Sequence, residues 1–122
     1  MSETSASSSR MIVEQAGDVI IVELKDRKIL EEMSIMQIGE QLNAMVAATE
    51  TPKVIIDFTQ VAHMSSSALG ILITLHKRIR EKRGQLRLCC IQSAIYEIFV
   101  ITRLNEIFSI CQSRQDALGD LT

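Results

Sequence analysis

Two rhythms of apolar residues run along the chain, one with the two-residue period of strands and one with the helical period of 3.6. Met11–Val13 and Val19–Leu24 are β-branched runs flanking Gln15-Ala16-Gly17-Asp18, which predicts a hairpin-like connection around Gly17. Ser34 opens the first helical pattern, with Gln37 three residues on in a capping-box arrangement. Ile35, Ile38, Leu42 and Met45 recur at helical spacing, and Pro52 enforces the stop. Val54-Ile55-Ile56-Asp57-Phe58 is an almost continuous apolar run, as expected of a central strand covered on at least one face. A polar stretch, Thr59 to Met64, leads to Ser65-Ser66-Ser67 and a long helical pattern ending at Gly84. Leu69, Leu72, Ile73, His76 and Ile79 line one face of that helix, and Ile71 and Leu75 widen the stripe. Leu86, Leu88 and Cys90 alternate with Gln85, Arg87 and Cys89 as a further strand. Ser93 caps a short helix with Ile95, Ile98 and Phe99 inward, Ile107–Ile110 is a short strand, and Ser113 with Asp116 at N3 opens a last helix.

The predicted order is therefore β-β-α-β-α-β-α-β-α. Strand–helix alternation after the first hairpin implies parallel neighbours joined by right-handed crossovers. The fold expected is α/β, a mixed sheet of four or five strands with helices packed against it and Val54–Phe58 at its centre. With 122 residues and 47% hydrophobic content, the chain has the size and apolar content of one core. Residues 1–9 are mostly Ser, Thr and Ala without apolar periodicity and are expected to be a flexible tail, leaving 10–122 as a single domain.

Charge and cysteine usage narrow the function classes. Thirteen basic against fifteen acidic residues give a formal charge of −2, which supplies no bulk attraction for nucleic acid or anionic lipid. No apolar run approaches the roughly 18 residues of a membrane span, and MSETSASSSR has no apolar signal region, so a cytoplasmic location is expected. Cys89, Cys90 and Cys111 contain no C-x-x-C, and His63 and His76 stand at no recognised ligand spacing from them. Buried free thiols are expected, with Cys89 and Cys90 on opposite faces of their strand, and no metal or cofactor. G-x-S-x-G and Gly-rich phosphate loops are absent, and Asp57, His63 and Ser66 match no triad order, so no catalytic residue is assigned. The five positive charges of Lys77–Arg83 complement a helix C-terminus and have no interleaved aromatics, which argues against nucleic-acid binding.

The informative segment is Val54–Arg83, where a buried strand runs through a short loop into three serines and a helix. Serine is a favoured N-cap, and one of the three must serve as such. The same position also suits a phosphate, because free N–H groups and the positive end of the helix dipole meet it there.

Asp57-Phe58-Thr59-Gln60-Val61-Ala62-His63-Met64-Ser65-Ser66-Ser67-Ala68-Leu69-Gly70 resembles the signature of STAS domains of the anti-sigma factor antagonist type. Their usual form is a buried strand ending in Asp-Leu/Phe, a loop with Val, and Asp-Ser-Ser-Gly-Leu-Gly opening a helix. The resemblance extends through Gly84-Gln85-Leu86-Arg87-Leu88, Ile101-Thr102-Arg103-Leu104-Asn105-Glu106-Ile107-Phe108 and Asp116-Ala117-Leu118, so it covers the chain from about Met11 to Leu118. It implies the STAS fold and a non-enzymatic protein-interaction switch. It also implies a partner, an anti-sigma factor that is a serine kinase of the GHKL type, and a phosphatase that resets the switch. Ser66 matches the phosphorylated serine, Ser65 stands where the family has its acid, and Ala68 where it has Gly. The surface implied for the partner comprises Ser65, Ser66, Ser67, His63 and Met64. Asp26, in Asp26-Arg27-Lys28-Ile29, is the nearest counterpart of the acid that the family carries after its second strand. The alternative is a scaffold STAS subunit, stressosome-like or transporter-associated, that is never phosphorylated.

Overall fold

The computed structural model of the chain describes residues 10–121. The expected tail, 1–9, lies outside the described residues. Strands β1 (Met11–Ala16) and β2 (Val19–Leu24) form an antiparallel pair, with Ala16 opposite Val19 across the turn. Gly17 sits at φ 65° in that turn, a conformation that an L side chain adopts only with strain. The chain then makes a two-residue strand β3 (Lys28–Ile29), helix α1 (Glu32–Ala47), β4 (Lys53–Asp57), a second short strand β5 (His63–Met64) and helix α2 (Ser66–Glu81). It continues with β6 (Gln85–Cys89), α3 (Ser93–Ile101), a 3-10 turn (Leu104–Glu106), β7 (Ser109–Cys111) and α4 (Arg114–Leu121).

The main sheet has five strands in the order β1-β2-β4-β6-β7, with β1 antiparallel and the others parallel. The mixed five-stranded sheet is thus as expected, and β4 is its centre. Val54, Ile55 and Ile56 are fully buried because β4 is covered on both faces. On one face Val22, Val54, Ile56, Leu86 and Leu88 meet the apolar stripes of α1, α2 and α3 in one continuous core. The other face is thinner: Val19, Ile21, Ile55 and Cys89 pack with Ala117 and Leu121 of α4, and Ala16, Cys90, Cys111 and Leu118 cover the cluster only in part.

Several local expectations are corrected. Helix α1 starts at Glu32, ahead of Ser34, because the Ile35 amide already donates to the Glu31 carbonyl. Ser34 is buried within the helix, and Gln37 accepts from Arg10 instead of closing a capping box. Helix α2 ends at Glu81 rather than reaching Gly84. A Cβ on Gly84 would stand 2.1 Å from the Pro52 carbonyl oxygen, so glycine is required there by close approach. Lys82 Nζ donates to the carbonyls of Val46, Ala47 and Thr49 at 2.8–2.9 Å, closing the C-terminal end of α1 from a neighbouring helix. The last strand is shifted to Ser109–Cys111, with Ile107 following the 3-10 turn. Cys90 lies beyond the end of β6 at φ 61°, so it does not continue the alternation.

Candidate functional site

The three serines divide the work at the start of α2. Ser65 is the N-cap: its backbone is extended and its Oγ accepts from the Ala68 amide at 3.4 Å. Ser66 is the first helical residue and is exposed, and its hydroxyl has no hydrogen-bond partner among the described residues. Ser67 is also exposed, and its Oγ lies 3.5 Å from Glu32 Oε2 at the start of α1. One hydroxyl therefore completes the helix end while its neighbour faces outward.

Long-range pairing holds this edge in place. Strands β3 and β5 pair in parallel, Lys28 opposite His63 and Ile29 opposite Met64. The Arg27 carbonyl accepts from the amides of Ala62 and His63, and the Ile29 carbonyl accepts from the Ser65 amide at 3.0 Å. Alternation in β5 leaves His63 exposed and turns Met64 into the core beside Ile29. Met64 is thereby corrected as a partner-facing residue: its part is to anchor the loop from beneath. Asp26 sits on the β3 side of the same edge and pairs with Arg10 at 3.4 Å.

An apolar surface next to the serines escaped the sequence reading. Leu30, just ahead of α1, and Met33 and Met36 within it are all at least half exposed, the two methionines lying outside the buried stripe of Ile35, Ile38 and Leu42. The helical part of that surface was legible as a pair of apolar residues at spacing i, i+3, off the core stripe. Gly39 allows this helix close to α2: a Cβ there would come within 2.7 Å of the Ile71 Cδ1.

A separate polar cluster joins α4 to the thin face of the sheet. Arg114 Nε donates to Asp57 Oδ2 at 2.6 Å, and its Nη atoms reach Glu23 at 3.0 Å and Glu14 at 3.4 Å. Asp57 Oδ1 accepts from the Thr59 amide and hydroxyl at 2.8 and 2.5 Å. Burial pushes the Asp57 carboxyl up, but the bonds from Thr59 and Arg114 outweigh it and hold the group below the usual carboxylate range. The Asp57 bond in turn raises the Arg114 guanidinium. Burial, the neighbouring Cys90 and the charge of Asp57 push the Cys89 thiol up.

Residues 10–117 match the family model for the STAS domain. The chain belongs to the STAS domain family. It is 31% identical over 82 residues to the putative anti-sigma factor antagonist BtrV of Bordetella bronchiseptica, covering 65% of this chain and 71% of that one. The fold matches a solved anti-sigma-factor antagonist (STAS) domain protein from Planctomyces limnophilus with TM-score 0.83 and 24% identity, over 91% of this chain and 97% of that one. It also matches the Bacillus cell fate determinant SpoIIAA in its phosphorylated form, with TM-score 0.69 and 15% identity over 92% and 99% of the two chains. Within this STAS domain, no helix of the described residues is long and apolar enough to cross a membrane.

Proposed function

We propose that the protein is an anti-sigma factor antagonist that docks on a serine-kinase anti-sigma factor through the edge around the start of α2 and is released by phosphorylation of Ser66. It is a binding switch without an enzymatic step of its own, working in the cytoplasm where sigma factors act. The observation that carries this reading is the division of labour among the serines. Ser65 caps the helix, so the Ser66 hydroxyl is free to be modified without loss of the cap. The anti-sigma factor antagonists among its relatives support the partner class, and the phosphorylated form of SpoIIAA supports the modification.

In the unmodified state, the exposed Leu30, Met33 and Met36 supply apolar area to the contact, while Ser66, Ser67 and His63 supply its polar rim. Phosphorylation adds about −1.5 to −2 charges on Ser66. The helix dipole offsets this by about 0.3–1 kcal/mol, enough to keep α2 formed. Glu32, which bonds Ser67, does the opposite and adds repulsion next to the new phosphate. The contact is then lost through repulsion and through the cost of stripping water from the phosphate. Ser65 has no carboxylate to activate the acceptor hydroxyl, so the base for transfer comes from the kinase.

The test is a pull-down from the native cell, followed by incubation with the recovered kinase and ATP and by mass spectrometry. Phosphate is expected on Ser66 alone, and Ser66→Ala is expected to bind the partner with or without ATP. Phosphate only on Ser65 or Ser67 overturns the assignment. No phosphate at all overturns the switch in favour of the scaffold reading, which the serine at the family's acid position favours.

A further inference from the structure

The C-terminal ends of β4 and β6 assemble three side chains that take no part in the docking edge. Asp57 and Cys89 are register partners on adjacent parallel strands, so they point to the same side of the sheet, toward α4. Cys90 follows at φ 61°, a left-handed conformation costing a non-glycine residue about 1 kcal/mol. That turn brings the Cys90 side chain beside Cys89 instead of to the opposite face, and the two Sγ atoms lie 3.6 Å apart. Spacing in the sequence hid the group, because Asp57 and Cys89 sit on two different strands and the pair of cysteines was expected to diverge. Both sulfurs and a carboxylate oxygen of Asp57 lie within 4.8 Å of one another.

We propose that Asp57, Cys89 and Cys90 form a binding site for a borderline-soft divalent cation of the zinc type, both thiols releasing their protons to solvent as the metal–sulfur bonds form and water completing a tetrahedral shell. Sulfur donors select such ions over magnesium or calcium. Zinc–sulfur bonds of about 2.3 Å in tetrahedral geometry set neighbouring sulfurs about 3.8 Å apart. The observed 3.6 Å is within about 0.2 Å of that requirement. An Asp57 carboxylate oxygen, within 4.8 Å of both sulfurs, supplies the third ligand, zinc–oxygen bonds being about 2.0–2.2 Å.

Asp57 retains the capacity to bind. An ionised carboxylate offers about four acceptor positions. Thr59 occupies both on Oδ1 and Arg114 one on Oδ2, which leaves one on Oδ2 for a cation. The same bonds fix the orientation of the carboxylate, as outer-shell partners of metal ligands do. The charge balance also favours a cation: one guanidinium, Arg114, faces the three carboxylates of Asp57, Glu14 and Glu23. Cys90 is only half-buried and gives the ion its way in. Cys111, opposite Cys89 on β7, is outside the group and serves as an internal control.

The test uses the untagged, reduced, chelator-treated full chain, titrated with Co²⁺ as an optical probe and then with Zn²⁺ as competitor. One Co²⁺ per chain is expected, with sulfur-to-cobalt charge-transfer absorption that Zn²⁺ abolishes and a rise in Tm with Zn²⁺. Cys90→Ser and Cys90→Ala, checked for folding by circular dichroism, are expected to weaken Zn²⁺ binding at least about tenfold, whereas Cys111→Ser leaves it unchanged. A folded wild-type chain without the charge-transfer band overturns the proposal, whatever the variants do. So does binding that survives both Cys90 substitutions, or that is lost only with Cys111→Ser.

Discussion

Helices α2 and α4 both begin at a serine cap. Ser65 Oγ accepts from the Ala68 amide at 3.4 Å, and Ser113 Oγ from the Asp116 amide at 3.1 Å. They differ in the next residue. In α2 this is Ser66, short, neutral and turned to solvent; in α4 it is Arg114, whose guanidinium ties three strands together through Glu14, Glu23 and Asp57. The reason lies in what each helix buries. Helix α2 places Ala68, Leu69, Leu72, Leu75 and Ile79 in the main core and stays attached without help from its first residue. Helix α4 buries only Ala117 and Leu121 and needs ionic ties, at Arg114 and between Arg87 and Asp120, to remain on the sheet. A helix held by its apolar stripe can leave its N-terminal position free for regulation, whereas one held by its termini cannot.

The largest effect expected from breaking this contrast is at α4. Arg114→Ala leaves Asp57 buried with Thr59 alone, and a loss of about 3 kcal/mol in chemical denaturation is expected, the low end for removing one partner of a buried ion pair. At the first position of α2 the cost moves from folding to binding. Ser66→Asp is expected to weaken partner binding by about tenfold or more in calorimetric titration, with the melting curve unchanged. The two caps come next: Ser113→Ala is expected to cost about 1 kcal/mol, and Ser65→Ala, whose bond is longer, about 0.5 kcal/mol.

The buried side of α2 has its own smaller signature. Burial, with a further contribution from Arg80, lowers the His76 imidazole below its ordinary value of 6.5, and the ring packs edge-on to Phe108 at 5.3 Å. The unfolded chain therefore takes up the proton first, so stability is complete above 6.5 and declines as pH falls toward the folded-state value. Comparing Tm between pH 7.5 and 5.5 is expected to show a shallower decline in His76→Leu than in the wild-type chain. The smallest effect is the most pointed one: Ser66→Ala is expected to change stability by less than about 0.5 kcal/mol, in contrast to the first residue of α4.

How far the sequence revealed this arrangement follows from the range of the interactions involved. Strand β2 was legible from Val19 to Leu24, and the Ser113 cap from its spacing to Asp116, because each is written in consecutive residues. The start of α2 was legible for the same reason. Strands β3 and β5 were not, since two residues carry no periodicity and exist only because Arg27 and Ile29 meet Ala62, His63 and Ser65 across the chain. Ser34 misled because a serine resembles a cap wherever it stands, and only the bond from the Ile35 amide to the Glu31 carbonyl shows that the helix has already begun. Arg114 had no local signal at all: its three carboxylates come from β1, β2 and β4, up to 100 positions away.

Strand order carries a consequence for how the chain is made. In β1-β2-β4-β6-β7 each strand lies beside the last main-sheet strand before it in sequence. During synthesis the hairpin forms first from local contacts, and every later strand emerges to find its docking edge already built. Nothing has to be threaded between strands already paired, and no early strand waits for a late partner. The opposite edge, β1, is in place from the outset and pairs on one side only, so one edge of the sheet stays fixed while the other advances with each new strand. The last segment to arrive, α4, then covers the second face, and Arg114 fastens strands that were laid down at the very beginning.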